Sequence, residues 1–234
     1  MNAGGRLVST TALTRAGALT IGLVVLATTL FLLIEYPALP DLLPVHFNRS
    51  GAPNGWQYRT LPRVLIPVAV QAMLALTFGA VAALLLSRPH GEHEADAPDV
   101  RAAATAAEAV VLLAAIWITF QGYAAFSLAQ LWVSDRASLP YYNLVEIGCG
   151  LASIVVAVRA HLRLGLPEPR PFVAAHWRWG QLYKNSEDPA LFVPTRDGRR
   201  WTLNFGRPVA GALLGVVLTL GVLAPTVLIA LALR

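Results

Sequence analysis

The sequence predicts an all-α membrane protein of five transmembrane helices, with a small β-hairpin-containing cytoplasmic module between helices 4 and 5. Three observations predict it. Long apolar stretches cover residues 16–36, 61–86, 109–133, 141–158 and 208–233, and a helix needs roughly 20 apolar residues to cross a hydrocarbon core of about 30 Å. The chain is 56% hydrophobic and only 13% Asp, Glu, Lys or Arg, about half the charged share of a soluble globular domain. A water-soluble chain of 234 residues has too little interior to hide five such helices, so the lipid bilayer must solvate them. Third, the basic residues sort by side. With a cytoplasmic N-terminus, only Arg49, Arg59, Arg63, Arg136 and Arg234 fall outside, and the other thirteen of 18 fall inside. That bias sets topology in membrane proteins. The expected location is the cell's cytoplasmic membrane, multi-pass, with the N-terminus inside and the C-terminus outside.

The same sorting accounts for the net charge of +5 and the pI near 9.9. In a soluble protein these would raise nucleic acid as a partner; here none is expected. The first stretch follows Arg6 and Arg15, like the start of a signal peptide. It is longer than a usual signal core and lacks a small-x-small end, so it is expected to be retained. The single cysteine, Cys149, lies between Gly148 and Gly150 and reads as a small packing residue.

The organisation follows in order. Residues 1–133 form an N-terminal membrane region with an outside loop, 37–60, and a cytoplasmic loop, 87–101. In the outside loop Pro37, Pro40, Pro44 and Pro53 forbid a long helix. Asn54-Gly55 reads as a turn, and Trp56 and Tyr58 suit the aromatic belt of a membrane interface. The cytoplasmic loop carries His90 and His93 among Glu92, Glu94 and Asp96, and its polar setting reads as a solvated acidic loop. Alanines 102–107 start the third helix below the membrane. The fourth helix occupies 134–163. Residues 164–207 are the one connection long enough to fold. There Leu191–Val193 reads as a strand, Asp197-Gly198 as a turn, and Trp201, Leu203 and Phe205 as the apolar side of a second strand. Trp177, Trp179 and Tyr183 are its expected packing partners, because an isolated hairpin is marginal. Arg196, Arg199 and Arg200 are expected to face anionic headgroups. The last helix, 208–234, carries Gly211 and Gly215 in a GxxxG pattern, which suits close packing within the chain or in a homodimer. Pro225 is expected to kink it.

Polar residues inside spans are costly, so their placement is informative. Thr119, Tyr123, Ser127 and Gln130 share one face of the third helix, and Asn143, Glu146, Gly150 and Ser153 one face of the fourth. Thr28 and Glu35 share a face of the first. Gln71 sits roughly 15 Å along the second at 1.5 Å per residue. These residues could line one cavity open to the outside, beneath the His46 loop, or they could serve helix packing. Glu35, His46 and Glu146 could meet at a proton, metal or ligand site; whether a metal is involved the spacing leaves open. Glu108, with Arg159, His161 and Arg163, reads as a structural ion-pair group. There is no HExxH, no GxSxG, no phosphate-cradling glycine loop and no nucleophile–base pair. A non-enzymatic protein without a cofactor is expected.

The outside loop reads Leu39-Pro40-Asp41, Pro44-Val45-His46-Phe47-Asn48, then Gly51 and Gly55-Trp56. It resembles unknown-function family 1648, found in bacterial membrane proteins that include the SdpI-type toxin-immunity proteins. The family hallmarks are matched by His46, Phe47, Asn48, Gly55 and Trp56. From Trp177 to Phe205 the chain resembles unknown-function family 5808, with Trp177-x-Trp179-Gly180, Tyr183-x-Asn185, Asp188-Pro189, Phe192-Val193-Pro194 and Trp201-Thr202-x-Asn204-Phe205. Members of that family often carry a second glycine where Arg199-Arg200 stand here. The resemblances imply sensing, signalling or toxin immunity and bring no established activity. The expected ligand, an extracellular peptide or small molecule, would meet Glu35, His46, Asn48, Trp56, Gln71, Tyr123, Asn143 and Glu146. The working residues of the module would be Trp177, Trp179, Tyr183, Asn185, Asp188, Arg196, Trp201 and Asn204. The alternative is a small transporter or transporter accessory subunit built on the polar stripes.

Overall fold

The computed structural model describes residues 6–48, 53–86, 89–90, 98–134, 141–167 and 170–219. It is mostly helical, with small antiparallel β-pairs. Strand β1 (Arg6–Leu7) leads into helix α1 (Ala12–Glu35). Thr11 fixes the start of α1: its Oγ1 accepts the Thr14 N–H at 3.1 Å, the bond that caps a helix N-terminus. The helix therefore begins four residues before the apolar stretch at 16.

The connection after α1 contains no long helix, as its prolines require. It forms a hairpin of β2 (Leu42–Phe47) and β3 (Pro53–Tyr58). Leu42 faces Tyr58, Pro44 faces Trp56 and His46 faces Gly55. Prolines exclude a helix but tolerate an edge strand, and both strands of a two-stranded ribbon are edges. Asn54-Gly55 is not at the turn. It lies within β3, where a Cβ on Gly55 would sit 2.8 Å from the His46 Cβ. The glycine serves the close approach of two strands.

The second apolar stretch is also interrupted. Helix α2 (Leu61–Val64) stops at Leu65, and α3 (Ile66–Leu86) continues. Pro67 has no N–H to bond the carbonyl four residues back, which opens the helix at that point. Strand β4 (Pro89–His90) pairs with β1. Helix α4 (Pro98–Ser134) has 37 residues, about 55 Å at 1.5 Å each. Pro98 supplies the fixed φ of a first turn, and Asp99 meets its positive dipole end. The alanines 102–107, good helix formers, join this turn to the apolar part. Helix α5 (Tyr142–Leu164) follows. Then come β5 (Trp177–Arg178) paired with β6 (Leu182–Tyr183), β7 (Phe192–Pro194) paired with β8 (Trp201–Leu203), and α6 (Pro208–Leu218).

Four helices among the described residues are long and apolar enough to cross a membrane: Ala12–Ala38, Ile66–Leu86, Asp99–Ser134 and Tyr142–Leu164. The chain is thus built as a multi-pass membrane protein. Of the expected fifth span, α6 is the described beginning; residues 220–234, with Pro225, lie outside the described residues. So do His93, Glu92, Glu94 and Asp96 of the acidic loop.

The chain divides into two compact units. The first, the module unit, comprises Met1–Thr14, Thr77–Val110 and Ala157–Arg234. The second, the hairpin unit, comprises Arg15–Leu76 and Val111–Val156. In the hairpin unit Leu32, Leu39, Leu43, Val64, Leu131 and Trp132 pack into one core around Ala125 and Ala129. Small residues one turn apart let apolar neighbours approach α4 closely, which is how helices associate where lipid removes the hydrophobic drive. In the module unit Leu191 and Val193 are buried, and Asn204 is wholly enclosed.

Candidate functional site

Two polar constructions stand out, one in each unit. In the hairpin unit the hairpin is fastened at both margins. Arg59, the residue after β3, donates from one guanidinium nitrogen to the carbonyls of Tyr36 (3.0 Å), Pro37 (3.2 Å) and Leu39 (2.6 Å). Its other nitrogen bonds Asp41 Oδ1 at 3.2 Å, and its backbone N–H bonds the Asp41 carbonyl at 2.7 Å. The guanidinium also lies over the Tyr36 ring, 5.2 Å from its centroid. Arg59 thus ties the end of β3 to the turn that follows α1. Across the ribbon, Trp132 of α4 donates its indole N–H to the Pro44 carbonyl at 2.9 Å.

The free side of the hairpin holds the residues the sequence singled out. His46 is exposed, and its Nδ1 pairs with Asn54 Oδ1 at 3.0 Å. Asn48 is exposed at the end of β2. Trp56 is 57% and Tyr58 73% exposed. Together these make a polar and aromatic surface on a ribbon fixed from behind.

The remaining expected ligand residues scatter. Glu35 is half-buried at the last turn of α1. Among the described residues no three His, Cys, Asp or Glu side chains stand together as metal ligands, so Glu35, His46 and Glu146 do not form a metal centre. Gln71 is fully buried and gives its amide N–H groups to Thr28 Oγ1 (3.2 Å) and the Ile118 carbonyl (3.0 Å). It ties three helices together, the packing role left open above. Tyr123 is half-buried on α4, whereas Thr119 and Gln130 are exposed and Ser127 is buried, so that stripe straddles the edge of the packed face. On α5 no residue is buried; Asn143 and Glu146 are exposed, and Ser153 bonds back to the Cys149 carbonyl at 2.8 Å.

In the module unit the organising residue is Asn204. Its amide Nδ2 donates among the carbonyls of Asn185 (2.8 Å), Asp188 (3.1 Å) and Ala190 (3.1 Å). Its Oδ1 accepts the N–H of Asn185 (3.0 Å) and of Gly206 (2.9 Å). One side chain therefore holds the irregular segment between β6 and β7 onto the strand that follows. Gly206 is pressed against it: a Cβ there would lie 2.4 Å from the Asn185 carbonyl carbon. Asp188 collects the Tyr183 hydroxyl (3.1 Å), an Arg170 guanidinium (3.0 Å) and the Ala190 N–H (2.9 Å). Burial, then the adjacent Asp188 carboxylate, pushes the Tyr183 phenol above the ordinary tyrosine value. The Asn185 side chain accepts the Glu187 N–H at 3.0 Å.

The hairpin of β7 and β8 forms as the alternation required, with Asp197-Gly198 at its turn and Gly198 at φ +66°. Trp177 packs edge-on against Tyr183, ring centroids 5.3 Å apart. Trp201 donates its indole N–H to the Gly165 carbonyl at 3.3 Å. Trp179 departs from expectation: it is 90% exposed in the β5–β6 turn, at φ +49°, and packs against nothing in the hairpin. Gly211 and Gly215 on α6 face open space.

One anchor, Asp99, joins the module to a helix of its own unit, and an ionic group at Glu108 joins helices of that unit; the sequence pointed only to the latter. Asp99 in the first turn of α4 accepts the Phe192 N–H of β7 at 2.7 Å. Glu108, buried on α4, accepts Arg163 (2.6 Å) and Arg159 (3.1 Å) of α5, and the Thr11 hydroxyl at 2.6 Å. Arg59, Asp41, Trp132, Asp99 and Gly206 were not legible as site residues. Four of them pair at least partly with backbone groups, and backbone partners leave no side-chain pattern in a sequence. Gly206 is fixed by lack of space.

No curated protein and no solved structure matches the chain. The domain of unknown function DUF1648 matches residues 23–71. That segment lies within the hairpin unit and runs from α1 through the hairpin to Gln71, so it takes in His46, Gly55 and Trp56.

Proposed function

We propose that this chain is a non-enzymatic sensor of the cytoplasmic membrane. In this reading the hairpin of β2 and β3 recognises a peptide or small ligand outside, and the β5–β8 module relays or recruits inside, as toxin immunity or envelope signalling would need. Kinship of the module with family 5808, and a fifth span that brings the C-terminus outside, belong to the same proposal. One observation carries it. The hairpin is fastened by Arg59 and Trp132 and leaves His46, Trp56 and Tyr58 exposed.

The test needs no ligand. Trp132→Phe keeps the ring bulk and removes the bond to Pro44. Amide hydrogen exchange of the purified full chain in detergent then reports both units. Faster exchange in residues 42–58, accompanied by altered exchange in residues 190–206, is expected. Exchange that changes only around the hairpin would sink the relay. Sidedness is tested separately in a Cys149→Ala background. A membrane-impermeant maleimide should label His46→Cys in intact cells and Trp179→Cys only after permeabilisation. The reverse pattern overturns the assignment of sides.

A further inference from the structure

The module carries a groove that the relay reading does not use. It lies between the β5–β6 turn and the β7–β8 turn, with an open volume of about 640 Å³, walled by Trp177, Gln181, Thr195, Arg196 and Arg200. A neighbouring recess of about 60 Å³ shares Trp177, Thr195 and Arg196. The recess has room for little more than water, whereas the groove is of a size that takes small ligands.

Its charge is what identifies a ligand. Arg196 and Arg200 are exposed, and neither guanidinium has a carboxylate partner among the described residues. Arg196 is held in place by the Phe172 ring, 4.6 Å from its centroid. A cation–π contact uses the face of the guanidinium and leaves the N–H edge free. Asp197 also borders the groove, with one of its two carboxylate oxygens taken up within the turn. Oδ1 takes the Thr195 hydroxyl at 2.5 Å and the Arg199 N–H at 3.2 Å. These bonds, the hydroxyl first, hold its carboxyl below the usual range. Thr195 in turn accepts the Arg200 N–H at 3.1 Å, so the backbone of the turn that carries both arginines is bonded to itself. Two guanidinium forks offer up to ten N–H donors. One carboxylate cannot occupy both forks bidentately, whereas the oxygens of a phosphate can. The indole of Trp177 gives such a ligand an apolar flank.

We infer that the Trp177–Arg196–Arg200 groove is a binding site for a phosphate-bearing ligand, taken from a lipid headgroup or from a soluble phosphate. This goes beyond the sensing reading and does not depend on it.

The test uses the full chain in neutral detergent and two probes, a short-chain phosphatidic acid and inorganic pyrophosphate, each followed by phosphorus NMR line broadening. Wild type is expected to bind at least one. Arg196→Gln and Arg200→Gln should each weaken binding about five-fold, the loss expected for an arginine worth ~1 kcal/mol near an anionic partner. Arg199→Gln, an equal loss of charge on a neighbour that does not wall the groove, should change it by under about two-fold on the same scale. Binding of the lipid alone with this ordering assigns a headgroup. Binding of pyrophosphate as well assigns the phosphate group itself. Neither probe binding, or Arg199→Gln weakening as much as the other two, overturns the site.

Discussion

Replacing Asn204 by alanine should unfold the module and leave the helices standing. The side chain is fully enclosed and engages three carbonyls and two backbone N–H groups. A hydrogen bond contributes about 1 kcal/mol net, and a buried partner left unpaired costs about 1–3 kcal/mol. Some orphaned groups near the rim will find water, so the loss is about 3–5 kcal/mol rather than the full sum. Two short hairpins have little stability of their own to set against that. Amide exchange of the full chain should show residues 185–206 exchanging freely while α1, α3 and α4 stay protected, because their backbone groups bond within each helix and the apolar surroundings keep water out. Asn204→Asp separates bonding from shape. It is nearly isosteric and keeps the acceptor for Asn185 and Gly206, but sets an oxygen against three carbonyl oxygens. It should fail like alanine. Wild-type protection of residues 185–206 in either variant would refute the account of Asn204 as the residue that holds the segment.

Other substitutions probe the remaining anchors. Gly55→Ala places a methyl against His46, and the forced separation of the strands should cost about 1–3 kcal/mol; exchange should rise in residues 42–58, and an unchanged hairpin would remove the close-approach argument. Glu108→Gln leaves Arg159 and Arg163 without their carboxylate. Because both arginines are 44% exposed, solvent blunts the loss to about 1–2 kcal/mol. Thermal unfolding in detergent should fall accordingly, and a Glu108→Gln, Arg163→Gln pair should be less than additive. The module should also weaken in alkali. Tyr183 has its proton held more tightly in the fold than in the open chain, so the folded form binds more protons once pH passes the ordinary tyrosine value, and stability drops from there upward. Tyr183→Phe should remove that alkaline slope; a slope of equal size in the variant would assign it to another group.

The parts of this molecule that were legible in its sequence are those where the environment permits few solutions. In lipid each span needs a long apolar run, so the four described spans could be read, although the third begins ten residues before its apolar stretch and the fourth runs six beyond. A carboxylate at Glu108 inside such a run needs cations, and Arg159 and Arg163 at the end of the next helix were the available ones. Alternation around Asp197-Gly198 left one register for β7 and β8. Asn54-Gly55 is a case that local pattern does not settle. The dipeptide is a strong turn signal because glycine is permissive, but permissiveness has two uses, and here the missing Cβ makes room for His46. Nothing local distinguishes them, since the neighbour that decides is eight or nine residues away across a bulged ribbon. Arg59 is a harder case still. In the sequence it counts as one more outside cation; in the fold it ties the end of β3 to the turn that follows α1 through three carbonyls, and carbonyls are present at every residue. The family match to residues 23–71 includes both Gly55 and Arg59. In this chain that segment is a ribbon fastened by an arginine and pinched by a glycine, with His46, Asn54 and Trp56 exposed. In the proposed sensing role, such a fastened ribbon meets the conformational cost of ordering its exposed face before a ligand binds.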